Sequence, residues 1–183
     1  PHAPIVPTQE FRGTTEAGPY GDFVHQSDWS AGQVLQALEA NGFSDNTLVI
    51  FTCDNGPENY AYERIRNTGH RSMGPLRGLK RDIYEGGHRV PCVMRWPGVI
   101  EPGTVCDALF GQVDILATVA AAAGINLPDG VAEDSCNMLP LLDGENPDPP
   151  IRSMHIHNTF KDNYAIRKGD WVLINAKSGA HSK

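Results

Sequence analysis

An unbroken apolar run, residues 48–51 (LVIF), constrains the fold of this chain more than any other feature. Across residues 47–52 the apolar residues do not alternate with polar ones, a pattern typical of a central parallel strand covered on both faces. The preceding residues 24–38 place their apolar side chains on one stripe at helical spacing. A helix that leads through a short loop into a buried strand is half of an α/β repeat, so the sequence predicts an α/β fold.

The predicted helix has recognisable ends. Asp22 has the residue type of an N-cap, and Asn41-Gly42 is a typical helix stop. Asp28 falls near the apolar stripe, where an unpaired carboxylate would be costly. Either Asp28 lies at the boundary of the stripe or bonds a backbone group, or it is the buried partner of an arginine. The sequence alone leaves both interpretations open.

Asp54 and Asn55 follow the predicted strand, at the edge where open α/β sheets bind ligands. A carboxylate and an amide oxygen side by side suit a hard divalent cation such as Ca²⁺ or Mg²⁺. Two ligands are too few for a complete site, so others must come from elsewhere in the fold. The alternative is a hairpin turn at Asn55-Gly56. The residues that follow, 59–69, lack the alternation of a partner strand.

Positive charge is concentrated in one part of an acidic chain. The formal net charge of the 183 residues is −7, which argues against nucleic acid as a partner. Residues 64–89, here called the basic segment, nevertheless hold seven lysine and arginine residues and are rich in glycine, which predicts an anion-binding loop. The segment is not a P-loop, because Pro75-Leu76 stands where lysine and Ser/Thr would be needed. Lys80 is suited to bind a tetrahedral oxyanion as a point charge; a solvated basic surface is the alternative.

Chain length, cysteine spacing and the distribution of apolar residues limit the possible architectures of this chain. A chain of 183 residues is expected to form one domain or part of a larger one. Its four cysteines lack C-x-x-C spacing and are predicted to be small buried residues rather than zinc ligands or disulfides. Residues 90–96 predict a second buried strand, ended by Pro97-Gly98. The chain has no apolar run long enough to span a bilayer and no signal-peptide pattern after Pro1.

A series of short motifs runs along nearly the whole chain. In order they are 1–4 (PHAP), 47–56 (TLVIFTCDNG), 78–80 (GLK), 85–91 (EGGHRVP), 96–98 (WPG), 114–118 (DILAT), 139–142 (LPLL) and 165–171 (AIRKGDW). In order and separation this series closely resembles the later part of the type I sulfatases, the arylsulfatase branch of the alkaline phosphatase superfamily. The resemblance implies a partial α/β/α sandwich for residues 1–144 and the start of a small antiparallel C-terminal sheet subdomain for residues 145–183.

The resemblance also implies a catalytic site. Asp54 and Asn55 would bind the divalent cation, usually calcium in this family, with magnesium as the alternative. Lys80 would hold a sulfate oxygen, and His2 would hydrogen-bond the sulfate or the leaving-group oxygen. The substrate would be an aryl or carbohydrate sulfate ester, hydrolysed by attack of a formylglycine hydrate on sulfur and collapse of the covalent sulfo-enzyme. A cation, a lysine and fixed donors suit the negative charge that such a reaction must balance.

Further histidines are candidates for substrate contact. His70 lies in the basic segment, with a structural role as the alternative. His157 alternates with Ile156 on a predicted strand and shares a face with His155. In parts of the family a histidine near this point lines the substrate pocket, whereas a polar strand face is the simpler interpretation.

The chain departs from the family in one respect. The family forms its nucleophile in a C/S-x-P-S/A-R stretch and has an early Asp-Asp pair of metal ligands, and neither motif occurs here. The 183 residues alone are therefore expected to be inactive on sulfate esters. Two alternatives remain, a phosphate or phosphonate ester hydrolase of the same superfamily and a non-catalytic fragment that binds sulfated glycans. From the family, the expected location is extracytoplasmic: periplasmic, secreted or lysosomal.

Overall fold

The computed structural model describes residues 1–180, which fold into two compact units. The first unit holds residues 1–47, 51–93 and 180, and the second holds residues 48–50 and 94–179. The helices are α1 Gly18–Ala40, α2 Tyr60–Thr68, α3 Ile115–Ala122 and α4 Leu139–Leu142. The strands are β1 Val49–Thr52, β2 Cys92–Arg95, β3 His155–Thr159, β4 Asn163–Lys168 and β5 Trp171–Asn175. Short 3-10 turns lie at Gln9–Phe11, Ser44–Asn46, Glu85–Gly87, Gln112–Asp114 and Phe160–Asp162.

The start of α1 differs from the prediction, whereas its end agrees. The helix begins at Gly18, so Asp22 lies inside it and is not its N-cap. The Asp22 carboxylate, only 4% exposed, instead accepts hydrogen bonds from the backbone N–H groups of Gly13 and Thr15, at 2.8 and 3.0 Å. These bonds, led by that of Gly13, lower the pKa of Asp22 and close the loop before the helix. The helix stops at Ala40 as expected.

The apolar stripe of α1 is largely uncovered in the described part of the chain. Val34 is 58% exposed, and Val24 and Leu35 are also exposed. Asp28 is exposed as well, so the interpretation of Asp28 as a buried partner of an arginine is wrong. The physical reason is that the stripe predicted to surround Asp28 does not exclude water here.

The two predicted strands form where expected but are not buried. β1 and β2 make a two-stranded sheet, in which Phe51 is 45% exposed and Val93 is 62% exposed. The cysteines follow the same pattern, because three are exposed and Cys136 is half-buried, all as free thiols. The predictions of strands covered on both faces and of buried cysteines are therefore wrong. Within residues 1–180 no further strand joins this sheet, and its apolar side chains stay partly in water.

The second unit contains the predicted antiparallel sheet. Its strand order is β3-β4-β5, with both pairs antiparallel. His157 pairs with Ala165, which in turn lies opposite Ile174 on β5. The boundary near Gly144 between the two predicted domains stays a prediction. No helix among residues 1–180 has both the length and the apolar character to cross a bilayer.

A buried carboxylate, Asp114, organises the second unit. It is fully buried and accepts hydrogen bonds from the backbone N–H groups of Gly111 and Cys136, at 2.8 and 2.9 Å. Arg152 donates through Nε at 2.8 Å and forms an ion pair through Nη2. Burial alone would raise the pKa of Asp114, but the bonds from Arg152, Cys136 and Gly111 outweigh it and hold that pKa below its usual value. Asp114 therefore ties the start of α3 to the segments around Cys136 and Arg152.

His155 beside this cluster predicts an acid-sensitive unit. Burial, the charge of Arg152 and the charge of His157 lower the pKa of His155 below 6.5, although the negative charge of Asp114 acts to raise it. The unfolded chain then binds the proton more readily than the folded one. The contribution of His155 to the unfolding free energy is therefore fully present above pH 6.5 and is lost as the pH drops towards the lowered pKa. We expect a lower urea midpoint at about pH 5 than at about pH 7.5, with a smaller difference in His155→Gln. An equal difference in both proteins would contradict this.

Candidate functional site

The loop after β1 is not a hairpin turn. Neither Asn55 nor Gly56 has the positive φ that a type I′ turn requires, and helix α2 follows at Tyr60. The alternative interpretation of Asn55-Gly56 as a hairpin is therefore wrong. Residues 54–58, here called the 54–58 loop, instead connect the strand to a helix, as expected of an α/β unit.

Backbone hydrogen bonds attach the 54–58 loop to the basic segment. The Gly56 N–H donates to the Gly87 carbonyl at 2.9 Å, and the Lys80 N–H donates to the Pro57 carbonyl at 2.9 Å. Within the basic segment, the Gly86 N–H donates to the Arg77 carbonyl at 2.7 Å. The backbone of Lys80 is thus fixed directly beside the loop that bears Asp54 and Asn55.

Glycine is required where these backbones meet. A Cβ on Gly56 would lie 1.9 Å from the Gly86 carbonyl oxygen, and a Cβ on Gly86 would lie 2.2 Å from the Gly78 carbonyl oxygen. The atoms that would be struck belong to the backbone and cannot rotate away. Gly56 of the loop and Gly86 of the basic segment thus allow the close approach that places the Lys80 backbone beside the 54–58 loop.

We expect Gly56→Ala to separate the loop from the basic segment. The added methyl group would overlap backbone atoms, so we expect a loss of about 1–3 kcal/mol of unfolding free energy, measured by urea denaturation. Gly32 in α1 is the matched control, because a Cβ there meets nothing within 4 Å. Gly32→Ala is expected to be neutral or slightly stabilising. Equal stability of the two variants would contradict the close approach.

Lys80 sits on a tight turn held by acidic residues. The buried Asp82 carboxylate accepts the Leu79 N–H at 2.9 Å, and the Asp82 N–H donates to the Leu79 carbonyl at 2.8 Å. Arg81, at φ +76°, forms an ion pair with Glu58 of the loop. The hydrogen bond from Arg81 is the main cause that lowers the pKa of Glu58, and the charge of Lys80 contributes. The half-buried Lys80 side chain therefore lies within electrostatic reach of the loop.

The side chains of Asp54 and Asn55 offer oxygen ligands of the kind a hard cation prefers. The Asn55 amide nitrogen donates to the Gly56 carbonyl at 2.9 Å, which leaves Oδ1 as the atom able to bind a cation. Asp54 is exposed at the end of β1. Among residues 1–180 no three His, Cys, Asp or Glu side chains converge on one point. The donor types fit Ca²⁺ or Mg²⁺ but make only part of a coordination shell.

The structure places the Lys80 backbone beside the loop that bears Asp54 and Asn55, and shows each candidate histidine in a contact of its own. His2 is exposed, and its Nδ1 lies 2.8 Å from the Ala3 carbonyl oxygen. His70 is exposed just beyond α2, where its backbone N–H donates to the Thr68 hydroxyl at 3.3 Å. His157 lies on β3 in the second unit, its ring stacked on that of His155 at 6.2 Å between centroids. The roles of His2, His70 and His157 remain predictions.

Sequence reasoning did not find the residues that support this site. Glu58 and Arg81 join the loop to the Lys80 turn, and a signal existed in their opposite charges beside the two motifs. Tyr20 and Arg64 form a second pair, with the guanidinium carbon 3.7 Å from the ring centroid. Because they are far apart in sequence, no local pattern predicts their contact.

The described residues define an α/β protein in which a loop with candidate ligand residues follows a strand. The profile described as Sulfatase matches residues 1–125, and the profile described as N-sulphoglucosamine sulphohydrolase, C-terminal, matches residues 79–176. The chain therefore belongs to the sulfatase family. The resemblance on which the sequence interpretation was based is confirmed.

Individual relatives agree with this assignment. The chain is 38% identical to an N-acetylgalactosamine-6-O-sulfatase of Bacteroides thetaiotaomicron, over 94% of this chain and 34% of the relative. It is 40% identical to a steryl-sulfatase of Rattus norvegicus, over 78% of this chain and 25% of the relative. The chain thus spans only a quarter to about a third of the length of these curated relatives.

Solved structures share the fold. A Bacteroides thetaiotaomicron protein, described in connection with the metabolism of multiple glycosaminoglycans, superposes with a TM-score of 0.84 at 36% identity. It covers 95% of this chain, which in turn covers 36% of that structure. The PsFucS1 sulfatase from Pseudoalteromonas sp. superposes with a TM-score of 0.80 at 28% identity, over 95% of this chain and 34% of the neighbour. The predicted α/β sulfatase fold, with its small C-terminal sheet, is confirmed.

Proposed function

We propose that this chain is the cation- and sulfate-binding part of a sulfuric ester hydrolase. The observation that supports it best is the attachment of the Lys80 turn to the 54–58 loop, with 2.9 Å between the Lys80 nitrogen and the Pro57 oxygen. This bond fixes the backbone of Lys80 beside the loop that bears the two proposed oxygen ligands. A sulfate group bound between them would have its negative oxygens balanced from two sides.

Each residue of the site has a distinct role in the proposal. Asp54 and Asn55 Oδ1 hold the cation, Ca²⁺ in preference to Mg²⁺, which when bound neutralises charge on the sulfate oxygens. Lys80 holds a sulfate oxygen through its ammonium group, and His2 donates to the sulfate or the leaving-group oxygen. The nucleophile, formylglycine in this family, has no motif among these 183 residues and would be supplied by another segment.

The proposed substrate is a carbohydrate sulfate. A relative that matches over 94% of this chain is named for a sulfated amino sugar. Its name supports N-acetylgalactosamine-6-sulfate as the first substrate to try. From the usual location of such sulfatases we further propose an extracytoplasmic protein, with the large domain ending near Gly144.

Metal removal tests the role of Asp54 and Asn55. In the full-length protein we expect a chelator to abolish hydrolysis of para-nitrophenyl sulfate and Ca²⁺ to restore it. Asp54→Asn, which removes one ligand charge, is expected to need at least about tenfold more Ca²⁺ for half-maximal activity. Glu63→Gln, on α2, is the control for loss of one negative charge. Activity that survives the chelator, or an equal Ca²⁺ requirement in both variants, would contradict the metal assignment.

A further inference from the structure

Arg64 is a half-buried cation without a carboxylate partner among residues 1–180. Arg81 and Arg152, which are also half-buried, each contact a carboxylate. The Arg64 guanidinium instead stacks on the Tyr20 ring, with 3.7 Å between its carbon and the ring centroid. Its Nε donates to the Ser72 hydroxyl at 3.2 Å. Arg64 thus has a fixed position and an unbalanced charge in a chain of net charge −7.

The position of Arg64 connects it to both halves of the candidate site. Ala61 and Ile65 of α2 pack in one cluster with Met73 and Leu79, and Leu79 directly precedes Lys80. Arg64 lies three residues after Ala61, so it shares this face of the helix. Arg64 is therefore next to the packing that supports the Lys80 turn.

Tyr20 makes the second connection. Its pKa is raised, chiefly by burial, and the Cys53 thiol is close enough to add to that effect. Cys53 immediately precedes Asp54. Tyr20 is therefore within electrostatic reach of the strand end that bears the two proposed cation ligands.

The contacts of Arg64 leave one edge of its guanidinium for a ligand. One face of the guanidinium stacks on the Tyr20 ring, and Nε donates to the Ser72 hydroxyl. Within residues 1–180, neither Nη1 nor Nη2 donates to an acceptor. This pair of nitrogens is the fork that binds a carboxylate or sulfate through two parallel hydrogen bonds. A partly desolvated cation is unfavourable without a counter-charge, and a bound oxyanion would supply one.

We propose that Arg64, oriented by Tyr20 and Ser72, binds a second oxyanion of the substrate. The substrate class is then a saccharide with a carboxylate or another sulfate on the residue next to the sulfate ester that is cleaved. This inference rests on the proposed sulfatase function, because it assigns a further contact in the same site. Arg64 determines specificity and has no part in the bond cleavage itself.

Two sugars and one substitution test the subsite in the full-length protein. The sugars are N-acetylgalactosamine-6-sulfate and a disaccharide with that sugar at its non-reducing end and a uronic acid beside it. Affinity is measured as KM where the sugar is hydrolysed and as Kd by calorimetry where it is not. We expect Arg64→Met to weaken the affinity for the disaccharide by about tenfold or more, which is the usual contribution of a hydrogen bond to a charged group. The affinity for the monosaccharide should change less than about twofold.

Two further variants separate recognition from folding. Arg66 is exposed on α2 and is not one of the residues assigned to the subsite, so Arg66→Met should leave both affinities unchanged. Arg64→Lys keeps the charge but not the fork, and we expect it to recover only part of the disaccharide affinity. An equal loss for both sugars, or an equal effect of Arg64→Met and Arg66→Met, would overturn the subsite.

The subsite and the sulfatase function can fail separately. If the wild type hydrolyses para-nitrophenyl sulfate but Arg64→Met leaves the ratio of the two affinities unchanged, the subsite is wrong and the function stands. If the wild type hydrolyses no sulfate ester but binds the disaccharide through Arg64, the function is wrong and Arg64 remains only as an oxyanion contact of a binding protein. If it neither hydrolyses nor binds either sugar, both are wrong.

Discussion

Lys80→Ala is expected to lower kcat for sulfate-ester hydrolysis by the full-length protein by about 10²–10³, the usual effect of removing one group that stabilises charge in the transition state. The backbone N–H of Lys80 still donates to Pro57 in this variant, so the loop attachment is retained. The loss therefore reports the missing ammonium group rather than a displaced loop. Initial rates with para-nitrophenyl sulfate over a range of concentrations measure it.

Charge-matched controls test whether Lys80 contributes more to kcat than another positive charge of the basic segment does. Arg66→Ala removes a positive charge from the exposed side of α2 and should leave kcat within about twofold of the wild type. Lys80→Arg keeps the charge but is longer and planar, and should restore only part of the rate. A fragment that merely binds sulfated glycans through its basic segment predicts similar, modest effects at both positions. That outcome would contradict the role given to Lys80.

Among the substitutions proposed for this chain, Arg152→Met is expected to cause the largest loss of unfolding free energy, about 3–5 kcal/mol, because it leaves a buried carboxylate without its counter-ion. Asp114 is fully buried and Arg152 is only 12% exposed, so water cannot replace the lost partner. The same change also removes the Arg152 Nη2 hydrogen bond to the Asp134 carbonyl, which measures 2.7 Å. Urea denaturation at about pH 7.5, where Asp114 is ionised, measures the difference.

A double variant isolates the ion pair. Asp114→Asn removes the charge and keeps one acceptor oxygen, so one of the Gly111 and Cys136 N–H groups, which bond to different carboxylate oxygens, loses its partner in both the single and the double variant. If the pair contributes as argued, Arg152→Met costs less in the Asp114→Asn background than in the wild type, by more than about 1 kcal/mol. Additive effects would show that Arg152 acts through packing alone.

Local pattern was sufficient for the parts of the fold that depend on neighbouring residues. The end of α1 and both strands of the first sheet follow from periodicity and stop signals, whereas the antiparallel C-terminal sheet was implied by the family resemblance. The proximity of Lys80 to Asp54 and Asn55 was implied only by the family resemblance. Its physical cause is backbone contact at Gly56 and Gly86, which no periodicity reports.

Burial and long-range pairing could not be predicted in this way. An apolar stripe shows which side of α1 would be buried, but whether it is buried depends on what covers it. Asp22 has the residue type of a cap, yet its carboxylate bonds to Gly13 and Thr15 because the helix begins earlier. Helix α2 was missed because its apolar face is small, and the Tyr20–Arg64 contact joins residues that are distant in sequence.

Paired rates on two esters with the same leaving group test the central claim most directly. The full-length protein is assayed with para-nitrophenyl sulfate and para-nitrophenyl phosphate in the presence of Ca²⁺. The proposed site predicts a higher kcat/KM for the sulfate ester, and loss of that activity in Lys80→Ala. A higher kcat/KM for the phosphate ester would place the chain in a phosphoesterase instead, and no activity on either ester would contradict a catalytic role.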